Sequence, residues 1–299
     1  MKLDLASKKV LITGIDSFTG FHLKTHLKKQ GYNVYGTVFS NGDDVETFTC
    51  NITNKENCLH VMHQIQPNFL IHLAGISYVG YDDVEAFYKV NTLGTQNILD
   101  GLCALENSVQ KVILASSATV YGDQGCEELD ESMCPKPANH YGISKLAMEH
   151  MARGYFAKLP ISIVRPFNYT GIGQPEHFLV PKIVSHFKRK EQTIELGNLH
   201  VAREFNDVEF TCNVYEKLLE STMDSDIVNL CSGKAISLME IISLMNTIAG
   251  YEIEIKVNPS FVRENEIKRL VGSTQKLEKT IGYICPIELE ETLRKMYEA

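Results

Sequence analysis

The chain has 299 residues, 44% hydrophobic and 22% charged, with 20 Gly and 9 Pro. That composition supplies a sizeable core and excludes a collagenous, low-complexity or disordered chain. Lys and Arg number 29 against 37 Asp and Glu, a formal charge of −8, so no overall positive field exists to collect nucleic-acid phosphates, and an anionic ligand must be held by a local site.

No stretch reaches the length of a membrane span, and the first ten residues lack the apolar run of a secretory signal. A cytoplasmic protein engaging neither membrane nor nucleic acid is expected. Cysteines 50, 58, 103, 126, 134, 212, 231 and 285 contain no Cys-x-x-Cys pair, so neither disulfides nor a zinc knuckle is expected. His22 and His26 share a helical face, but among Lys24, Lys28 and Lys29 and with no evident carboxylate. They read as a solvated basic face, and no metal is expected.

In chain order, short apolar runs at Val10–Thr13, Asn33–Phe39, Phe69–Leu73, Lys111–Ser116 and Ile161–Arg165 predict strands. Between them Thr19–Gln30, Asn54–Gln66, Asp83–Leu105 and Tyr141–Lys158 repeat apolar residues at three- and four-residue spacing and predict helices. This alternation is that of right-handed β-α-β units and a parallel sheet covered on both faces. Beyond Arg165 come a loop rich in Gly, Pro and aromatics (166–181), a basic helix to Arg189 and a strand at Thr193–Leu196. A helix at Val208–Glu220, a strand at Asp226–Leu230, a helix at Leu238–Ala249, a strand at Glu252–Val257 and helices at Thr274–Ile281 and Leu289–Glu298 complete the reading.

Three segments carry chemistry. Thr13-Gly14-Ile-Asp-Ser17-Phe18-Thr19-Gly20 links the first strand to the first helix, where glycine permits a tight turn and free amides at the helix N-terminus face an anion such as a pyrophosphate. Ser17 stands where a middle glycine is usual, so either the backbone there has negative φ or its path is altered. Tyr141-Gly-Ile-Ser-Lys145 places a phenol and an ammonium on one helix face, where the ammonium can stabilise a phenolate and let the tyrosine exchange a proton. Ser116-Ser117-Ala-Thr119-Val-Tyr-Gly122 begins as a strand ends, at the edge where parallel sheets bind ligands, and a Ser117 hydroxyl there can bond a reacting oxygen. Each segment alone also fits a plain turn, an amphipathic helix or a strand terminus.

Together, in this order, they resemble the extended short-chain dehydrogenase/reductase family of nucleotide-sugar enzymes, with further matches at Ala74-Gly75, Asn91-Thr-Leu-Gly94 and Arg165-Pro-Phe-Asn168. The resemblance implies an α/β fold: a Rossmann-type doubly wound parallel sheet from residues 1–170 and 207–232, with a smaller α/β substrate-binding lobe from 171–206 and 233–299. It implies Ser117, Tyr141 and Lys145 as catalytic residues. Gly14, Ser17, Phe18, Thr19, Gly20, Asn51, Ile52, Ala74, Gly75 and Asn91 would lie along the cofactor path, with Tyr141 and Lys145, the latter on the nicotinamide ribose.

Thr37–Asn41 offers neither an acid for an adenosine ribose nor an arginine for a 2′-phosphate. NAD and NADP both stay open, and analogy with the reductases favours NADP. Ala118 and Thr119 stand where the family's dehydratases carry acids, which leaves hydride transfer with one proton relay. The stretch Arg165–Gln174, Phe178–Pro181, Gly197–Leu199, Arg203–Val208 and Arg263–Glu266 looks like GDP-4-keto-6-deoxymannose reductases. That likeness implies Thr119, Asn168, Val180, Arg203 and Arg263 on a nucleotide-diphosphate sugar, with arginine forks on the diphosphate. Ser116–Gly122 is instead similar to UDP-sugar 4-epimerases, so an epimerase stands as the alternative, and a non-catalytic dinucleotide sensor as a third reading. The family implies a homodimer through the helices at Asp83–Leu105 and Tyr141–Lys158.

Overall fold

The computed structural model describes residues 8–107, 109–262 and 267–299. Its first half contains β1 (Lys9–Thr13), α1 (Phe18–Lys29), β2 (Asn33–Val38), β3 (Asp43–Asp44), β4 (Thr47–Thr49), α2 (Lys55–Ile65), β5 (Phe69–His72), α3 (Val84–Tyr88), α4 (Thr95–Cys103), β6 (Lys111–Ala115) and α5 (His140–Arg153). The second half contains β7 (Ile161–Pro166), β8 (Tyr169–Thr170), α6 (Leu179–Lys188), β9 (Thr193–Leu196), β10 (Ala202–Arg203), β11 (Asn206–Asp207), α7 (Val208–Glu220) and β12 (Asp226–Leu230). It closes with β13 (Ile236–Ser237), α8 (Leu238–Ala249), β14 (Glu254–Val257), β15 (Arg269–Leu270), α9 (Gln275–Ile281) and α10 (Leu289–Glu298).

The central sheet runs β12-β7-β6-β5-β1-β2-β4 with every neighbouring pair parallel, and β3 adds an antiparallel edge to β4. Because side chains alternate along a strand, the apolar runs divide between two cores. Val10, Ile12, Ile71, Ile113, Val164 and Val228 face one layer with α1 and α7. Leu11, Leu70, Val112, Leu114, Ile163 and Ile227 face the other with α2, α4 and α5. This is the Rossmann-type architecture. A third core, with Ile183, Phe187, Leu238, Ile241, Met245 and Leu293, joins α6, α8 and α10. Leu277 of α9 instead packs in the α1/α7 layer.

The structure departs from the expected elements in several places. The edge pair β3 and β4 replaces the unassigned stretch after Phe39, and their backbone hydrogen bonds, not an apolar pattern, make them strands. The single helix expected at Asp83–Leu105 is three pieces, α3, a wider π-helical stretch at Lys89–Gly94, and α4. The long helix expected to Lys158 ends at Arg153, and tighter turns carry the chain to Leu159. His26 does have a carboxylate: Glu216 of α7 lies 2.6 Å away and ties α1 to α7. No group of three metal-ligating side chains occurs among the described residues, and no helix is long and apolar enough to cross a membrane.

Candidate active site

The glycine turn is closed by Ser17. Its backbone has φ −67° and caps α1, and its hydroxyl accepts from the Gly20 amide at 3.1 Å while donating to the Gly14 carbonyl at 2.7 Å. Serine therefore replaces a middle glycine without strain. Gly14 has φ +70°, a left-handed conformation that favours glycine, and its amide and that of Ile15 bind the Thr37 carbonyl at the end of β2. A Cβ at Gly20 would meet the Gly14 carbonyl oxygen at 2.3 Å, so helix and turn touch with only hydrogen between them. The amides of Phe18 and Thr19, at the start of α1, have no intrahelical acceptor, as at any helix N-terminus. Phe18 stacks on Tyr169 with centroids 6.2 Å apart, and Thr19 Oγ1 is 2.6 Å from the Tyr169 hydroxyl.

The second wall follows β5. Thr95 donates to the Asn91 carbonyl at 2.7 Å, so His72 Nε2–H donates to Thr95 at 2.9 Å, and His72 Nδ1 accepts from Thr13 at 2.7 Å. The Thr13 oxygen in turn accepts from the Ala74 amide at 3.2 Å. Burial, then the Lys145 charge, pulls His72 down to about 3, so it is neutral near pH 7. Asn91, fully buried in the π-helical stretch, binds both backbone groups of Ile76 and the Ser144 hydroxyl. A Cβ at Gly75 would meet Asn91 Oδ1 at 2.8 Å and Lys145 Nζ at 3.4 Å. Gly75 thus adjoins Asn91 and Lys145, and Ala74 adjoins Gly14 of the turn.

Ser117, two residues past the end of β6, caps the 3-10 turn Ala118–Tyr121, accepting from the Thr119 amide and hydroxyl at 3.2 and 2.9 Å. Its hydroxyl also lies near enough to the Tyr141 phenol to influence its ionisation. Burial raises Tyr141, and the Ser117 hydroxyl works against that rise. Lys145, one helical turn on, donates to the Ala115 carbonyl at 2.8 Å, and burial pulls it down to about 8 against an opposing pull from Glu149. Ser117, Tyr141, Lys145 and Thr119 therefore meet at the carboxyl edge of β6, beside the glycine turn.

The other expected contacts are placed less uniformly. Asn51 Oδ1 is taken up by the amide and hydroxyl of Thr53, while Ile52 packs beneath Gly94. Asn168 is exposed after β7. Val180 lies in the α6/α8/α10 core, where neighbouring side chains cover it. Arg203 is buried on β10 with Nη1 on the Ala202 carbonyl. Nearby, Glu204 accepts from the Gly272 and Ser232 amides and from Asn206, and Asp207 from the Glu209 amide and Thr292. Arg263 lies outside the described residues. Sequence reading missed Tyr169, His72, Ser144, Ser116 and Glu149, which are long-range partners. Of these only Glu149 stands at a local helical spacing, four residues beyond Lys145.

A glycine turn at a helix N-terminus, a neutral wall after β5 and a Ser–Tyr–Lys set at the sheet's carboxyl edge define an extended short-chain dehydrogenase/reductase of nucleotide-sugar metabolism. The chain belongs to the GDP-mannose 4,6 dehydratase family, whose model matches residues 11–296. It is 37% identical over 275 residues to the GDP-6-deoxy-D-talose 4-dehydrogenase of Aggregatibacter actinomycetemcomitans, covering 92% of this chain and 91% of that one. It is 33% identical to the GDP-6-deoxy-D-mannose reductase of Pseudomonas aeruginosa, covering 76% and 78%. Among solved structures, a candidate epimerase of Burkholderia cenocepacia J2315 superposes with a TM-score of 0.92 at 38% identity over 98% of this chain and 97% of that one. RMD of Pseudomonas aeruginosa, solved with NADPH, superposes at 0.86 with 27% identity over 97% and 96%.

Proposed function

We propose that this protein reduces the C4 ketone of a GDP-linked 4-keto-6-deoxyhexose, using a nicotinamide dinucleotide with NADPH favoured. The observation that carries this reading is the Ser117–Tyr141–Lys145 set without an added acid: Ala118 is buried and apolar, and the Thr119 hydroxyl is spent on Ser117. An elimination needs its own acid and base at the sugar, so the chain departs here from the dehydratases that lend the family its name. The two curated relatives named for GDP-6-deoxy sugars support the nucleotide and the deoxy sugar.

The left-handed Gly14, the close Gly20 contact and the Gly75 gap fit a dinucleotide lying across the sheet edge. The turn's amides would hold its pyrophosphate, Ala74, Gly75 and Asn91 its nicotinamide half, and Lys145 the ribose beside it. The bound cofactor supplies hydride. The chain does the rest: Ser117 donates a hydrogen bond to the C4 oxygen, and Tyr141 donates the proton that completes the alcohol. Tyr141 is then a phenolate, stabilised by the positive charge of Lys145. Arg203 and Arg263 would bind the diphosphate of the sugar nucleotide, with Thr119 and Asn168 nearer the hexose. The apolar exposure of Val84, Leu93 and Ile143 on α3, the π-helical stretch and α5 supports a homodimer through these helices, to be checked by sedimentation.

The test is turnover of GDP-, UDP-, dTDP- and CDP-linked 4-keto sugars with NADPH and NADH. The expected result is stoichiometric cofactor oxidation with the GDP sugar, and a Tyr141→Phe protein that turns over about 10²–10⁴-fold more slowly. The similarity to a candidate epimerase favours a second reading. It takes over if two nucleotide sugars interconvert with no net oxidation.

A further inference from the structure

Beneath the site lies a buried charge cluster that the reaction above does not use. Glu149 follows Lys145 by one turn of α5 and is 1% exposed. Its carboxylate accepts from Arg165 Nε at 2.9 Å and Nη2 at 2.7 Å, and from Ser116 Oγ at 2.6 Å. Arg165, on β7, is 2% exposed, and its guanidinium lies 4.7 Å over the Tyr121 ring. Its Nη1 is buried with no hydrogen-bond partner among the described residues. A fully buried ion pair is often no more stabilising than an apolar pair of similar volume, so the fold alone gives little reason for it.

Its position gives one. Ser116 immediately precedes Ser117, and its amide is already fixed to the Val164 carbonyl. Glu149 therefore clamps the strand end that presents Ser117 while standing beside the catalytic ammonium. We propose that Glu149 is a positioning residue of this active site: through Ser116 it fixes the backbone that carries Ser117, and from one helical turn beyond Lys145 its carboxylate places a negative charge on the same helix face as the ammonium. The proposal rests on the Ser–Tyr–Lys reading given above.

The titratable groups around Lys145 are Tyr141 and Glu149 on its own helix, His72 at the end of β5 and Arg165 on β7. Beyond Tyr141 stand Tyr169, Tyr215 and Cys212, all raised by burial. Of the charged neighbours only Glu149 opposes the pull of burial on Lys145. Without it the ammonium gives up its proton at a lower pH, and the phenolate left on Tyr141 loses its neighbouring positive charge.

Two variants test this. Glu149→Gln keeps the shape and leaves Arg165 buried without a counter-ion. Glu149→Gln/Arg165→Met removes both charges, which keeps the test valid should the single variant unfold. The Lys145 titration is followed by 13C NMR on lysine-labelled protein, with the resonance assigned by Lys145→Arg, beside the pH profile of kcat. In Glu149→Gln the Lys145 midpoint is expected to fall by about one to three units; in the double variant, which also removes the Arg165 charge, it falls by less, and in each the alkaline limb of kcat moves with it. Glu149→Asp, which keeps the charge, should hold the midpoint near that of the wild type. A folded Glu149→Gln protein whose midpoint stays within about 0.3 units of wild type, or a folded double variant with both the wild-type midpoint and the wild-type kcat profile, overturns the proposal. The NMR titration needs no substrate, so an enzyme that turns over none of the sugars would refute the proposed reaction and leave this result standing.

Discussion

Replacing Gly20 by alanine puts a methyl group 2.3 Å from the Gly14 carbonyl oxygen and 2.7 and 2.8 Å from Ile15 Cα and its carbonyl carbon. All three are backbone atoms, so no rotamer change relieves the clash, and reaching even tight real contacts needs an opening of about 0.7–1.1 Å. α1 is held to the sheet by the fully buried Leu23 and Leu27 and to α7 by the His26–Glu216 contact, so the displacement falls on the glycine turn. Overpacking of this kind costs about 1–3 kcal/mol of stability. An amide–phosphate hydrogen bond stretched by that much is lost, which is about 1.5–3 kcal/mol, or roughly 10- to 150-fold in cofactor Kd. Calorimetric titration with NADPH and NADH, beside denaturant unfolding, measures both. Gly154→Ala is the control: its φ is −64° and a Cβ there comes no closer than 3.3 Å, to the Met151 carbonyl oxygen. It is expected to change stability by less than about 1 kcal/mol and cofactor affinity not at all. A Gly20→Ala protein that binds both dinucleotides with the wild-type Kd refutes the placement of the pyrophosphate at this turn.

Lys145 links activity to stability. Because burial lowers it to about 8, the unfolded chain holds this proton more tightly. Its contribution to stability is fully present above the ordinary lysine range and is lost as pH falls from about 10.5 to about 8, a difference of roughly 3 kcal/mol. Lys145→Met should therefore be about 2 kcal/mol more stable than wild type at pH 7, lose that advantage near pH 10.5 and be inactive; equal stabilities at pH 7 would contradict the burial of a charged lysine. Glu204→Gln sets an amide NH₂ against the donors of Gly272, Ser232 and Asn206 and should lower unfolding free energy by about 2–3 kcal/mol, with loss of less than about 0.5 arguing against the bonded carboxylate. Arg203→Lys keeps the charge and loses the fork, so KM for the sugar nucleotide should rise about tenfold while cofactor Kd holds; an unchanged KM removes Arg203 from the diphosphate.

Much of this was legible because it is local. Strand runs such as Val10–Thr13 and Phe69–Leu73 carry apolar residues on both faces, as a covered parallel sheet requires, and their bounds fall within a residue of β1 and β5. The glycine turn and Tyr141/Lys145 are fixed by spacing along one turn or one helix. What sequence could not give is set by partners far along the chain. The π-helical stretch carries Asn91 into bonds with Ile76 and Ser144, and nothing in Lys89–Gly94 itself signals that extra residue per turn. His26 read as solvated because Glu216 stands 190 residues away. Val180 read as a substrate contact because resemblance places positions, not side chains; the residue faces the core of the second lobe. The two-residue strands β3, β8, β10, β11, β13 and β15 are too short for any periodicity to show.

The account turns most directly on one assay: purified protein, a GDP-linked 4-keto-6-deoxyhexose and NADPH or NADH, with absorbance of the reduced nicotinamide and NMR of the product recorded together. One equivalent of reduced cofactor consumed per new C4 alcohol, lost in Tyr141→Phe, is the result expected; the NMR spectrum also assigns the product as the talo or the manno epimer at C4. A sugar that reacts with no net oxidation of cofactor, or equal turnover by Tyr141→Phe, would contradict it.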